Sequence, residues 1–151
     1  MTASDTPGVD ILGMAREAYQ RGWSRTPNVS ASTRESQAIS KEWQRRVRAT
    51  DGDRFATEVR VSEDFRERID LIDRLSATAY EMKVSGKNPT HEFFKDVFKV
   101  LEYNVSGGGG IKCLVFITDR AGVARLQGGL SRSLLTNSHD LGFEIRLEPL
   151  D

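Results

Sequence analysis

Two acidic residues and a lysine lie in neighbouring segments whose alternating apolar and polar residues are typical of β-strands. Glu81 and Lys83 are two residues apart, so they point to the same face of a strand. Asp70 lies between Ile69 and Leu71 in the preceding segment and faces away from both. Carboxylates on neighbouring strands suit a divalent cation, and a lysine beside them can stabilise negative charge on a phosphate. Asp70, Glu81 and Lys83 are therefore the candidate chemical centre.

The turn between the two segments determines how closely the two acids approach. If it is centred between Leu75 and Ser76, Asp70 lies directly opposite Glu81, with Cβ atoms about 5 Å apart. Two like charges at that distance destabilise a sheet unless a cation neutralises them, and Mg²⁺ or Mn²⁺ would do so. Lys83 beside that ion can orient or deprotonate a water molecule. The alternative is a surface hairpin in which Glu81 pairs with Lys83 and Asp70 is solvated.

The hydrophobic periodicity predicts helices and strands that alternate along the chain. We expect helices at residues 9–22, 33–49, 89–103 and within 123–138, the third beginning at Pro89 after the cap residue Asn88. Strands are expected at residues 55–61, 65–73, 77–84, 112–118 and 143–147. Such a mixture favours an α/β fold with a mixed β-sheet flanked by helices.

The sequences of residues 68–73 (RIDLID) and 79–84 (AYEMKV) form a strand, a turn and a second strand with an acid-x-Lys triplet. This pattern resembles the signature of the PD-(D/E)xK nuclease superfamily, and the order of predicted elements over residues 32–120 is similar as well. Ile69 replaces the proline that often precedes the Asp in that family, and Met82 is the middle residue of the triplet. The resemblance implies a restriction-endonuclease-like core of order αβββαβ, with an extra helix and strand in this chain.

The resemblance also implies roles for particular residues. Asp70 and Glu81 would bind Mg²⁺ or Mn²⁺, and Lys83 would assist the attacking water. The family often adds an acid from its first helix, for which Glu35 is the candidate. The alternative for Glu35 is a capping box with Ser32 at the start of that helix.

The distribution of charge bears on nucleic-acid binding. Of 151 residues, 22 are lysine or arginine and 22 are aspartate or glutamate, so the net charge is zero. Proteins that bind nucleic acid alone usually have a basic excess, so any such surface must be local. A solvated helix face is the alternative explanation of a basic stretch. The candidate nucleic-acid contacts are Lys41, Arg45 and Arg48 on the second predicted helix, Lys87 in the loop after the triplet, and Lys95 and Lys99 on the next helix.

The length of the chain suits one domain with a modest core. We expect residues 1–31 to form an arm with a short helix and residues 32–151 to form the nuclease-like domain. No apolar run approaches the roughly 18 residues that span a bilayer. The N-terminal residues lack the features of a secretory signal, and one cysteine, Cys113, excludes an internal disulfide. We therefore expect a cytoplasmic location and no membrane partner.

Together these features predict a Mg²⁺-dependent (or Mn²⁺-dependent) nuclease that hydrolyses phosphodiester bonds of DNA rather than RNA. The resemblance implies a place in a process such as restriction, repair or anti-phage defence. A core without a separate reader domain is expected to act as a homodimer or within a multi-protein complex. The alternative is an inactive, nuclease-like binding or assembly subunit. Zero net charge favours that alternative, whereas the complete Asp-Glu-Lys set favours the enzyme.

Overall fold

Turns and helix caps divide the chain into five strands and five α-helices over the residues that the structure, a computed structural model, describes: 8–24, 29–84, 88–107 and 109–151. Of residues 29–32 it describes only the backbone. The strands are β1 (Phe55–Arg60), β2 (Arg68–Asp73), β3 (Thr78–Lys83), β4 (Cys113–Thr118) and β5 (Glu144–Pro149). The helices are α1 (Ile11–Gly22), α2 (Val29–Thr50), α3 (Pro89–Val105), α4 (Arg120–Leu126) and α5 (Gly129–Thr136). No helix in these ranges combines the length and apolar character needed to cross a membrane.

The five strands form one mixed sheet in the order β1-β2-β3-β4-β5. β1, β2 and β3 are an antiparallel meander, whereas β3, β4 and β5 run parallel. Antiparallel neighbours can be joined by a tight turn, but parallel neighbours need a crossover connection. α3 makes the first crossover, and α4 and α5 make the second. The predicted α/β class with a mixed sheet is confirmed, and the restriction-endonuclease-like core stays a prediction.

Both faces of the sheet are covered, which explains the continuous apolar run of β4. All six of its residues are buried, as expected of a central parallel strand. Cys113, Val115 and Ile117 pack into the core beneath α1 and α2. Leu114 and Phe116 pack into a second core beneath α3 and α4. The molecule therefore has three layers, with helices on both sides of the sheet.

The first helix is part of the core beneath α2. Ile11, Ala15 and Tyr19 are buried on the face of α1 that meets α2. The indole N–H of Trp43 donates a hydrogen bond of 3.2 Å to the carbonyl of Ile11. The described part of the predicted arm, residues 8–24, thus packs closely on the remainder of the chain.

The second helix begins earlier than its sequence pattern predicts. α2 starts at Val29, four residues before the expected start at residue 33. The predicted capping box of Ser32 and Glu35 is therefore wrong, because both residues lie inside the helix. The side chain of Ser32 lies outside the described residues.

Two loop features differ from the sequence-based prediction. α3 begins at Pro89 as expected, but Asn88 has a left-handed backbone (φ 53°) and its side chain makes no capping hydrogen bond. The single helix expected within residues 123–138 is two helices separated at Gly128. Gly129 has a φ of 62°, a conformation that glycine adopts readily and that interrupts a helix.

The turn between β2 and β3 has the predicted register. Its closed end is fixed by the carboxylate of Asp73, which is fully buried. That carboxylate accepts hydrogen bonds from the Arg54 guanidinium (3.0 and 3.1 Å), the Leu75 amide (3.0 Å) and the Ser76 hydroxyl (2.8 Å). The pairs along the ladder are Asp73 with Thr78, Ile72 with Ala79 and Leu71 with Tyr80.

Candidate metal centre and nucleic-acid interface

The sheet forks between β2 and β3, where the next pair of residues would be Asp70 and Glu81. The ladder between these strands ends at Leu71 and Tyr80. β2 continues beside β1 as far as Arg68, and β3 continues beside β4 to its last residue. The two candidate acids therefore face each other at the open end of the fork, as the predicted register requires.

A change in strand orientation opens this fork. Leu71 belongs to the core beneath α1 and α2, whereas Ile69, which strict alternation would place beside it, belongs to the core beneath α3. On β1, Val59 packs against the same second core. Glu58 precedes Val59 and has a left-handed backbone with a φ of 49°. The β1–β2 ladder is otherwise regular but lacks the pair of Glu58 with Asp70. The hairpin therefore rotates at Glu58 and Asp70, and its end turns towards α3.

The two carboxylates take the place of ladder hydrogen bonds at the fork. The amide of Asp70 donates to Glu81 Oε1 at 3.0 Å. The amide of Met82 donates to Asp70 Oδ2, also at 3.0 Å. Each acid is thus fixed by the opposite strand, because a buried amide must find an acceptor when its strand partner diverges.

A buried lysine on α3 neutralises Glu81. Lys99 Nζ lies 3.2 Å from both carboxylate oxygens of Glu81, 3.0 Å from Asp96 Oδ1 and 2.7 Å from the Arg68 carbonyl oxygen. Its side chain is 5% exposed and that of Glu81 is 4% exposed. The interpretation of Lys99 as a surface contact to phosphate is therefore wrong, because its ammonium points inward to the acids. The alternative pairing of Glu81 with Lys83 is wrong as well.

One ammonium does not balance the acids around it. Burial raises the pKa of Asp70 to about 7 and that of Asp96 to about 6. Burial, and then the charge of Asp70, raises the pKa of Glu81 well above its usual range. Burial alone would lower the pKa of Lys99, but Glu81 and Asp96 outweigh that effect and its pKa is raised. When these acids are ionised, the cluster has an excess of negative charge, which favours binding of protons or of a further cation.

Lys83 stands beside the acids with its ammonium available. Its carbonyl accepts a hydrogen bond of 2.8 Å from the Thr118 hydroxyl, which fixes the end of β3. Lys83 and Asp70 both line two adjoining cavities, one of about 330 Å³ towards α2 and one of about 390 Å³ towards α3. Over the described ranges, no carboxylate lies within ion-pair distance of this lysine.

A groove with a basic lining adjoins the fork. It has a volume of about 690 Å³ and lies between α2 and β1. Glu58 lines the groove and both cavities beside the acids, so the three spaces are neighbours. The groove thus brings three of the predicted nucleic-acid contacts together with one further cation. Its basic residues are Lys41, Arg45, Arg48 and Arg68.

Three further predicted site residues are Glu35, Lys95 and Lys87, and none of them contacts the acids of the fork in the described structure. The Glu35 carboxylate accepts hydrogen bonds from the amide (3.3 Å) and the hydroxyl of Ser24, so the structure does not bring it to the acids of the fork. Lys95 is half-buried at the edge of the second cavity, 3.3 Å from Glu92 and 3.7 Å from Glu67. Lys87 lies outside the described residues.

Sequence reasoning missed the buried acid on α3, although the pattern contained a signal. Asp96 falls on the same helical stripe as Phe93, Val97 and Val100, and all four are buried. An acid in the middle of an apolar stripe requires a partner, and Lys99 lies three residues further along. Nothing in the sequence pattern indicated the left-handed backbone of Glu58.

The carboxylates at the fork suit a hydrated divalent cation. Within the described ranges, no three Asp, Glu, His or Cys side chains are grouped as ligands for one ion. Mg²⁺ is usually held by one or two carboxylates and keeps several waters, so a dedicated cage is unnecessary. Asp70 and Glu81 would hold it, since both line the same cavity and the negative charge of their cluster is only partly balanced.

Comparisons with known proteins provide no match that bears on the assignment of this metal site. No family model matches the chain. Neither a curated protein nor a solved structure matches it. The resemblance to the PD-(D/E)xK superfamily accordingly stays a prediction, which the geometry of the fork makes testable.

Proposed function

We propose that this protein is a divalent-metal-dependent nuclease that hydrolyses phosphodiester bonds of DNA at the fork between β2 and β3. The observation that carries the proposal is the meeting of Asp70 and Glu81 across the fork, with Lys83 lining the same cavity. Two acids and one lysine at such a position provide the groups that metal-assisted phosphodiester hydrolysis requires.

Each residue has a distinct part in the proposed chemistry. Asp70 and Glu81 would bind Mg²⁺ or Mn²⁺, which when bound lowers the pKa of a water molecule and offsets charge on phosphate oxygens. The Lys83 ammonium, which no carboxylate holds in the described structure, would orient the attacking water and stabilise the negative charge on the phosphate oxygens in the transition state. Hydrolysis forms a bond between the oxygen of that water and phosphorus and breaks one P–O ester bond. The water gives up a proton, the leaving oxygen takes one up, and the products are a phosphate monoester and a hydroxyl group.

The basic groove supports a nucleic-acid substrate. Lys41, Arg45 and Arg48 are exposed on α2 and face a space that adjoins the acids. Phosphate contacts by such residues supply affinity without sequence preference and position the backbone. A strand that follows this groove would present a phosphodiester to the fork.

An inactive nucleic-acid-binding or assembly subunit is the second candidate. The same groove favours it, because binding of phosphates by α2 does not require the acids. The two candidates differ in one result, which is cleavage. The predicted homodimer or larger complex is compatible with either candidate and stays a prediction.

The test is cleavage of supercoiled plasmid, linear duplex, single-stranded DNA and RNA by the purified protein with Mg²⁺, Mn²⁺ or EDTA. We expect metal-dependent cleavage of DNA that Asp70→Asn, Glu81→Gln and Lys83→Met each reduce by about 100-fold or more. Lys112→Met, an exposed cation that lines none of the three spaces, is the matched control. Binding of DNA without cleavage by the wild type would favour the assembly subunit, and cleavage of RNA alone would change the substrate.

A further inference from the structure

The ammonium of Lys99 is saturated by protein oxygens. A lysine ammonium has three hydrogens to donate. Lys99 Nζ contacts the carboxylates of Glu81 and Asp96 and the carbonyl oxygen of Arg68, at distances between 2.7 and 3.2 Å. With 5% of its side chain exposed, it has no donor directed to the surface. A substrate phosphate therefore cannot be its partner.

The placement of Lys99 connects the helix to both strands of the fork. Asp96 and Lys99 are three residues apart on α3, so they lie on neighbouring turns of the same face. From there Lys99 reaches Glu81 on β3 and the backbone of Arg68 on β2. The ladder of hydrogen bonds between β2 and β3 has ended at this point. The Lys99 ammonium holds the two strands together instead, because it contacts both of them.

The charges of the cluster leave room for one further divalent cation. Asp70, Glu81 and Asp96 are three carboxylates, and Lys99 is the ammonium among them, so these four groups leave two negative charges unbalanced when all are ionised. Lys83 and Glu58 line the same cavity, and their opposite charges leave that sum unchanged. One divalent cation would bring the sum to zero, whereas two would leave an excess positive charge in a poorly solvated place. Without Lys99, the same acids would carry three negative charges.

We propose that Lys99 is a permanent internal counter-ion of the candidate metal centre, which occupies Glu81 from α3 and limits the site to one divalent cation. This inference rests on the proposed function, since it assumes that Asp70 and Glu81 hold the metal. Lys99 is accordingly a positioning residue and competes with the metal for Glu81. A residue that merely oriented Glu81 as a ligand would have the opposite effect on metal affinity.

The experiment measures Mn²⁺ binding by titration with paramagnetic detection, so that its readout does not depend on cleavage. The wild type is expected to bind one Mn²⁺ per chain. Lys99→Met is expected to bind Mn²⁺ about tenfold more tightly or more, because a positive charge beside the ion has been removed. Lys99→Arg, which keeps the positive charge beside the ion, is expected to retain the wild-type affinity within about threefold.

Lys95→Met is the matched control, since Lys95 lies on the same helix and lines the same cavity but is more exposed and pairs with Glu92 and Glu67. Its Mn²⁺ affinity should change by about threefold or less, because solvent screens its charge. Weaker Mn²⁺ binding by Lys99→Met would overturn the proposal. Two Mn²⁺ per wild-type chain, or none, would overturn it as well, and this measurement requires no variant to fold.

The failure of this inference can be told apart from failure of the proposed function. Suppose that the wild type binds one Mn²⁺ and Lys99→Met binds it more tightly, but no nucleic acid is cleaved. The role of Lys99 as a counter-ion would then be supported, and the proposed nuclease activity would be rejected. Cleavage by a wild-type chain that binds two Mn²⁺ would do the reverse.

Discussion

At the scale of single residues, the surroundings of each lysine and each acid determine its role, because residues of the same type differ in their contacts. Lys83 and Lys99 both lie near Asp70, yet one has no carboxylate partner among the described residues and the other is enclosed by two. Glu35 and Glu81 were both candidate acids, but Glu35 is held by Ser24 and Glu81 lies at the fork. Motif spacing identified Glu81 correctly as a partner of Asp70, whereas the lysine that neutralises it came from another element.

The raised pKa of Asp70 predicts a pH dependence of stability in the metal-free protein. Glu81, Asp96 and Glu58 face this carboxylate with negative charge, and Lys99 faces it with positive charge. Burial raises its pKa to about 7 in the folded state, above its ordinary value of 3.8. The folded state therefore binds this proton more tightly than the unfolded state does. The resulting contribution to the free energy of unfolding is fully present at pH values below the pKa of Asp70 in the unfolded chain. It is lost as the pH rises through about 7.

We expect the melting temperature in EDTA to be higher at about pH 5.5 than at about pH 8, by a few degrees. Asp70→Asn removes this titration and should show a smaller difference between the two conditions. Thermal melts of both proteins, with chelator throughout, provide the measurement. The raised pKa of Asp70 would be contradicted if the wild type melted at a higher temperature at the higher pH. It would also be contradicted if Asp70→Asn showed the same difference in melting temperature between the two pH values as the wild type.

At the scale of elements, the fork explains how a simple meander produces a site. The register of β2 and β3 was predictable, because a turn at Leu75 and Ser76 determines which residues pair. The rotation of the hairpin was not predictable, because alternation rules assume that a strand keeps its faces from end to end. Glu58 breaks that assumption with a left-handed backbone, which separates Leu71 and Ile69 into different cores. The order of elements followed from periodicity, while their exact ends depended on tertiary packing.

The backbone of Glu58 predicts a difference between two substitutions. A residue with a Cβ is strained at a φ of 49°, whereas glycine is not. Glu58→Gly should therefore be more stable than Glu58→Ala by about 1 kcal/mol, or about 2–4 °C in melting temperature for a chain of this size. Both variants lose the same carboxylate, so their difference isolates the backbone. Equal stability of the alanine and glycine variants would contradict a left-handed backbone at residue 58.

At the scale of the whole molecule, zero net charge conceals a separation of charge. The groove beside α2 carries Lys41, Arg45, Arg48 and Arg68, with Arg45 paired to Glu42, whereas three buried or partly buried acids lie together at the fork. Those acids are Asp70, Glu81 and Asp96. Nucleic acid drawn to the groove would meet the acids only where a cation offsets their charge. Neutrality overall is thus compatible with weak, local binding of a polyanion, which is the behaviour we expect of the chain on its own.

This arrangement predicts how DNA affinity responds to salt. Replacing Lys41, Arg45 and Arg48 together with alanine should weaken binding similarly for all sequences. The slope of log affinity against log salt should fall by about 0.9 for each phosphate of duplex DNA that the variant no longer neutralises. Arg132→Ala with Lys112→Ala is the control, because these exposed cations line none of the three spaces. Fluorescence anisotropy on a labelled duplex in EDTA measures both slopes, and equal slopes for the triple variant and wild type would exclude the groove.

The central claim is that Asp70 and Glu81 together hold a divalent cation at the fork. Its most direct test is a crystal structure of the protein grown with Mn²⁺, with the metal located by its anomalous scattering. We predict one anomalous peak within bonding distance of both carboxylates, with Lys99 still paired to Glu81. A fork without a peak at a saturating Mn²⁺ concentration, or a peak bound to other residues instead, would contradict the account.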